Sequence, residues 1–359
     1  MVLKSRGQTV TLPHGGLPEV ISPHLLTLIE KTGGKNGPIG KQFVAQPHLE
    51  CKYFNKISAD PLSEDHNEVA PGLVYKYRGK IDTKGKVMFY GRALWTVTRF
   101  CGSYCRFCTR GREVGMMPNS KQVLKTHSAL SSQPFLSDAQ ICETISYLSR
   151  HPEINEVILS GGDPLTTQQE YLTRIIDELV KLQSKGNLHV IRIGSRLPVH
   201  NPGAVKDWHY SLLARIKNPY LMVHINHPAE LTPETLSVLT RFRKESLATL
   251  MSQTVFLKGV NDNEKVLLEL FNTMTREGIR PYYLFQNDPV YWAQHLTVPV
   301  KRGIALWQKI RPKLSGVAAT ARYVIDVPFG YGKIPIPEGG AWQFDKGKYL
   351  DFKKKPFSL

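Results

Sequence analysis

Six short apolar runs alternate with amphipathic stretches between Arg92 and Gln286, and no other feature of the chain restricts its fold so strongly. The runs read RALWTVT, EVILS, HVIRIGS, LMVHIN, MSQTVFL and PYYLFQ. Helical patterns separate them over LSDAQICETISYLSRHP, TQQEYLTRIIDELVKLQ, TPETLSVLTRFRKE and NEKVLLELFNTMTREG, with a less regular helical segment between the third and fourth runs. Near-continuously apolar strands of this kind are covered by helices, and right-handed crossovers stack them into a parallel sheet. The expectation is an α/β fold with a partial parallel (β/α)6 barrel over residues 86–300. Residues 1–85, irregular and rich in Gly and Pro, are expected to form an N-terminal extension with one helix around Pro23 to Lys31. Residues 301–359 form a C-terminal segment with a further helix, a short strand and a Gly-rich loop carrying Lys333.

Folds of this class gather their chemistry at the C-terminal ends of the strands. Those ends read TRFCGSYCRFC, LSGGD, GSRLP, INHP, SQTV and LFQND. The chain of 359 residues has only five cysteines, too few for a disulfide scaffold, and MVLKSRGQTVTLPHGG has no apolar leader pattern. A reducing cytoplasmic setting is expected, and no apolar run approaches the roughly 18 to 20 residues of a membrane helix. The net charge of +17 is spread along the chain apart from DFKKKPF and the arginines beside the cysteines. No nucleic-acid motif accompanies it, so a solvated basic surface is preferred and nucleic acid is not expected as a partner.

Three of the five cysteines, Cys101, Cys105 and Cys108, fall in RFCGSYCRFCTRGREVG at the end of the first run. The C-x3-C-x2-C spacing lets three thiolates of one loop converge. A structural zinc site wants four ligands, and Cys51 and Cys142 stand alone. A [4Fe-4S] cluster held by three thiolates leaves one iron open, which suits binding a substrate. Three free cysteines in one loop is the remaining alternative.

This cysteine loop, with the aromatic before its last Cys, and the LSGGDPL stretch resemble the signature of the radical S-adenosylmethionine (SAM) superfamily. The resemblance implies a [4Fe-4S] cluster on Cys101, Cys105 and Cys108 whose open iron holds SAM, and an external one-electron reductant. It narrows further. DPLSEDHNEVAPGLVYKY, CGSYCRFCTRGRE, LSGGDPL, RIGSRLPV, HINHPAELT, LKGVNDN, PYYLFQND and VIDVPFGYGKIPI together resemble the lysine 2,3-aminomutase family, in order and spacing, from about residue 58 to 338. That family adds pyridoxal 5'-phosphate (PLP) and moves an α-amino group to the β-carbon through a 5'-deoxyadenosyl radical.

On this resemblance Lys333 matches the lysine that bonds PLP, and Gly330 and Gly332 beside it leave room for a planar cofactor. Asp288 and Asp326 match the aspartates that grip a side-chain ammonium, and two carboxylates in one pocket call for a cation between them. Arg110 matches the arginine for the substrate carboxylate, a bidentate task suited to a guanidinium. Arg92 matches a cofactor-site arginine near the PLP phosphate. Ser160, Gly161, Gly162 and Asp163, with Arg196 and Gln253, match SAM-site positions. Of His224 and His227, one is read as a SAM-pocket hydrogen bonder and neither as a metal ligand.

The chain departs from the family pattern in places. SQ stands where the family has NQ, KGVND where it has RGVND, and Gly111 replaces a second arginine after the cysteines. Cysteines that some members use for zinc are missing, so no zinc is expected. The resemblance implies conversion of L-lysine to β-lysine, in a homo-oligomer. Arginine or ornithine as substrate, and β-lysine supply for modifying an elongation factor, keep the same chemistry. An RNA-modifying radical SAM enzyme is the rival class, and it would have no use for Lys333 or the aspartates.

Overall fold

A computed structural model of the chain describes residues 17–53, 56–114, 134–328, 332–336, 348–350 and 356–358. Gly330 lies outside them. One ten-stranded sheet organises the molecule. Two strands from the N-terminal side, β1 (Glu68–Ala70) and β2 (Leu73–Tyr77), are followed by a small separate hairpin of β3 (Lys80–Ile81) and β4 (Val87–Phe89). Then come β5 (Gly91–Thr98), β6 (Ile154–Gly161), β7 (Val190–Ser195), β8 (Tyr220–His224), β9 (Thr249–Phe256), β10 (Arg280–Gln286), β11 (Arg322–Val327) and β12 (Gly332–Pro335).

The pairing runs β1-β2-β5-β6-β7-β8-β9-β10-β11-β12. Every pair from β5 to β11 is parallel, which makes seven parallel strands where the sequence pattern predicts six. The extra one is β11, whose short run RYVIDV is followed by no crossover helix but folds straight back into antiparallel β12. The sheet order has two free ends, so the barrel is open. The sheet also crosses residues 85/86 and 300/301, since β2 pairs with β5 and β11 with β10.

The outward faces carry the core. Helix Gln169–Ser184 buries Leu172, Ile175, Ile176 and Leu179, an i, i+3, i+4, i+7 stripe pressed on the sheet. Each contributes about 1.5–3 kcal/mol by leaving water. Helix starts are fixed locally: Ser137 and Gln140 form a reciprocal capping box for Asp138–Arg150, and the Asn263 side chain accepts the Val266 N–H at 3.0 Å for Glu264–Arg276.

The inward faces are different from the expected continuous apolar runs. In β7, Ile191, Ile193 and Ser195 are buried while Arg192 and Gly194 turn inward. The same alternation points Arg92, Ser160, His224 and Gln253 into the barrel, which leaves its mouth polar and open. Among the described residues no helix is long and apolar enough to cross a membrane.

Candidate active site

The candidate cluster, SAM, PLP and substrate residues from Arg92 to Lys333, Gly330 apart, line one cavity of about 290 Å³ at the barrel mouth. The strand ends deliver these residues from positions far apart in sequence, from Arg92 to Lys333.

The cysteine loop follows β5 directly. Its shape is held from beneath by Arg106, whose buried guanidinium pairs with both carboxylate oxygens of Glu50 and donates to the Leu17 carbonyl at 3.0 Å. The Trp292 indole N–H donates to the Cys108 carbonyl at 3.0 Å. Trp292 also explains Gly111: a Cβ there would sit 2.6 Å from the indole ring, so the arginine expected at this position has no room. Cys101, Cys105 and Cys108 are free thiols, each partly open to the cavity. Burial raises all three thiols, Cys108 to about 12; Asp163 and the other two cysteines add to it at Cys101 and Cys105 adds to it at Cys108, while the Arg196 guanidinium partly offsets it at Cys105. Without a cation they stay protonated; iron is the kind of charge that reverses this. Three thiols of one loop facing one cavity are the donor set that an iron–sulfur cluster takes.

Beside the thiols stand Asp163 and Arg196. Asp163 is turned inward on the protein: it accepts the Arg196 N–H at 2.7 Å, the Leu197 N–H at 2.9 Å, the Leu165 N–H at 3.0 Å and the Ser195 hydroxyl at 3.0 Å. It ties the loops after β6 and β7 together. Gly161 adopts φ +112°, and a Cβ on it would meet the Thr98 carbonyl oxygen at 2.3 Å. The glycine pair is thus required by the close approach of the loop before the cysteines, rather than by ligand approach alone. Arg196 donates to Cys105 Sγ at 2.8 Å, to Gln42 Oε1 at 2.6 Å and to Glu230, and its guanidinium lies 4.4 Å from the Phe43 ring centroid. It belongs to the thiol side of the site.

The two histidines of HINHP separate. His227 accepts the Ala229 N–H at 3.2 Å as a local cap, whereas His224 lines the cavity with Nε2 buried and unpartnered. His200, also on the wall, has an unpartnered Nδ1. Burial lowers both, His200 to about 3, so both are neutral imidazoles. Two orphaned buried nitrogens beside three thiols, with Gly194 adding no side chain to the wall, fit a polar adenosyl and amino-acid ligand such as SAM.

The remaining wall gathers around Lys333. Its Nζ lies 2.9 Å from Asp326 Oδ1 and 5.3 Å from the Phe285 ring centroid, and its backbone N–H donates to the Tyr77 hydroxyl at 2.7 Å. Arg92 is on β5 itself, stacked on Tyr77 with its guanidinium 3.6 Å from the ring centroid. Asp288 accepts the Thr109 hydroxyl. Burial first, and then the charge of Asp326, pushes the Asp288 carboxyl up to about 6. A lysine amine, a half-buried guanidinium and flanking tyrosines make a fitting cradle for a planar, phosphate-bearing aldehyde such as PLP.

Arg110 is already paired. Its Nε and Nη2 donate to the two oxygens of Glu64 at 2.8 and 2.7 Å, and Lys76 makes an ion pair with the same carboxylate. Glu64, Lys76, Tyr77, Thr109 and Tyr283 all line the cavity and were not singled out from the sequence. Glu64 and the Lys76–Tyr77 pair do lie within DPLSEDHNEVAPGLVYKY, and that stretch was the available signal.

An open parallel barrel whose first strand leads into three cavity-facing thiols is the architecture of a radical SAM protein. No family model matches the chain. It is similar to L-lysine 2,3-aminomutase of Methanococcus maripaludis, 34% identical over 320 residues, covering 89% of this chain and 66% of that one. It is similar to the L-lysine 2,3-aminomutases of Clostridium subterminale, at 32% identity with 88% and 68% of the two chains covered, and of Acetoanaerobium sticklandii, at 33% with 88% and 68%. The chain belongs to the lysine 2,3-aminomutase family. It spans about two thirds of the length of these relatives. Among solved structures it resembles a radical SAM methyltransferase from Sphaerobacter thermophilus, with a TM-score of 0.46 and 17% identity over 71% of this chain and 78% of that one. Family membership implies a [4Fe-4S] cluster, SAM and PLP.

Proposed function

We propose that this protein is an isomerase that moves the α-amino group of L-lysine to the β-carbon, giving β-lysine. One observation carries the reading: Lys333, Asp326, Asp288 and Arg110 share a single cavity with the three thiols of the cysteine loop. A diamino acid presents one carboxylate and two ammonium groups, and this wall offers a guanidinium, two carboxylates and an amine that can bond a carbonyl compound.

When bound, the cluster with SAM supplies a hydrogen-abstracting organic radical, and PLP supplies an aldehyde able to hold the migrating nitrogen. Cys101, Cys105 and Cys108 would hold the cluster; Lys333, with Arg92 and Tyr77 beside it, would hold PLP. The neutral nitrogens of His200 and His224, with Gln253 on the same wall, would orient SAM. Arg110 receives the substrate carboxylate. Asp288 and Asp326 receive the side-chain ammonium, a cation that offsets their mutual repulsion. Lys333 Nζ pairs with Asp326 at 2.9 Å, and a lysine bonded to PLP would leave that carboxylate open to substrate. An external one-electron reductant is required.

The same carboxylates would accept the guanidinium of arginine or the shorter ammonium of ornithine, so these are the competing substrates. The test is a comparison of kcat/KM for L-lysine, L-arginine and L-ornithine with protein reconstituted anaerobically with iron, sulfide and PLP and supplied with SAM and dithionite. Lysine should lead. Cleavage of SAM with no isomer formed from any of the three would reject the reading.

A further inference from the structure

We infer that Glu64 is a positioning residue for the substrate carboxylate: it takes the Nε–Nη2 edge of Arg110 and leaves the Nη1–Nη2 edge directed to the cavity. The inference deepens the proposed function and rests on it. A guanidinium has five N–H donors arranged in a fixed fork. Glu64 uses Nε–H and one Nη2–H, through separate oxygens at 2.8 and 2.7 Å. The donors left over are both Nη1–H groups and the second Nη2–H. Of these, Nη1 donates one long hydrogen bond, 3.5 Å, to Ser160 Oγ; Arg110 and Ser160 both line the cavity, so the edge that Glu64 leaves lies on the side a ligand would enter and is held only by that weak contact. That edge accepts a second carboxylate side by side with two parallel hydrogen bonds.

Glu64 is itself fixed before any ligand arrives. Its side chain is only 3% exposed. Asp60 accepts the backbone N–H of Glu64 and that of Asp65, both at 3.1 Å, and the Asn67 side chain donates to the Ser63 carbonyl at 2.9 Å. Asp65 in turn holds Arg112 at 2.6 Å. The acidic turn therefore grasps both arginines that follow Cys108, and ties the substrate-facing one to the same loop that carries the thiols. Burial acts against the Glu64 charge, but Arg110 and Lys76 outweigh it and keep the carboxylate ionised far below the usual range.

Two consequences follow for binding. An arginine ordered in advance does not lose side-chain freedom when substrate arrives. Arg110, Lys76 and Glu64 together carry one net positive charge, the complement of one carboxylate. Without Glu64, the guanidinium would be free to rotate and Lys76 would lose its partner.

The test uses Glu64→Gln and Glu64→Asp proteins loaded with cluster and PLP, first checked for cluster absorbance and thermal unfolding. Two readouts are needed: KM and kcat for L-lysine, and dissociation constants measured calorimetrically without SAM for L-lysine and for 1,5-diaminopentane, the same skeleton without the carboxylate. We expect Glu64→Gln to weaken lysine about tenfold or more in both KM and dissociation constant, the scale of one charged hydrogen bond. The change in kcat should stay within about threefold, affinity for 1,5-diaminopentane should be unchanged, and Glu64→Asp should recover part of the loss. The inference is overturned if Glu64→Gln binds lysine as tightly as or more tightly than the parent, or if folded protein loses both ligands equally. The parent protein is measured first. If it prefers another amino acid, the function reading fails, and the Glu64 comparison is made with that amino acid and its decarboxylated amine.

Discussion

Asp326 and Lys333 face each other across the antiparallel β11–β12 pair, with Nζ of the lysine 2.9 Å from the carboxylate. This register places the amine that would bond PLP and one carboxylate proposed for the substrate cation on the same rung of the sheet. Lys333→Ala should abolish PLP uptake, read as loss of the cofactor absorbance after gel filtration, while leaving SAM binding intact. Because the ion pair is partly solvated, its removal should change stability by on the order of 1 kcal/mol or less. A large drop in melting temperature would show that the lysine is structural.

Gly332 is held at φ +82°, and a Cβ on it would fall 1.9 Å from the Tyr77 ring. Gly332→Ala should therefore push Lys333 out of register and weaken PLP binding by roughly tenfold, the scale of left-handed backbone strain in an L-residue. In a PLP titration, adding Tyr77→Ala should restore little, because the backbone strain remains and the Lys333 N–H loses its acceptor.

The pH dependence follows from Asp288, whose carboxyl is raised to about 6 by burial and by Asp326. Its protonated form is favoured by folding, so it contributes stability at low pH that is lost as pH rises through about 6. Substrate ammonium compensates the charge that then appears. Lysine affinity should increase through that interval, and lysine should raise the melting temperature more at about pH 7.5 than at about pH 5.5. Asp326→Asn removes the repulsion, and the rising limb should move to lower pH. A pH-independent affinity would remove Asp288 from the site.

Arg106 and Glu50 form a fully buried bidentate pair under the cysteine loop. Glu50→Gln leaves a buried guanidinium without its counter-charge, and about 3–5 kcal/mol of stability should be lost. Chemical denaturation measures this, and iron content after reconstitution should fall with it. Unchanged iron content would show that the loop holds its cluster without this support.

Much of the architecture is visible in the chain because period and length agree: apolar runs of strand length separated by capped amphipathic helices can only stack in parallel. The helix Pro23–Lys31 and the crossover helices follow that rule. The short strand at RYVIDV is visible in the sequence, but not its place as a seventh parallel member, because it folds back into β12 with no crossover helix after it. The cavity residues that carry distinctive chemistry, the thiols and Lys333, were legible from spacing and family resemblance. Glu64, Lys76 and Tyr77 were not, since each acts through a partner that only the β2–β5 pairing and the 60–65 turn bring close. The requirement for glycine at 111 is likewise tertiary, set by the Trp292 ring that leaves no room for a Cβ.

The most direct measurement is the position of nitrogen in the product. L-lysine labelled with 15N at the α-amino group and 13C at the β-carbon is incubated with the anaerobically reconstituted protein, SAM and reductant, and followed by NMR. A one-bond 15N–13C coupling should appear with the parent protein and be absent with Lys333→Ala or with any of the three loop cysteines changed to Ala. SAM cleavage without that coupling, from fully loaded protein, would contradict the account.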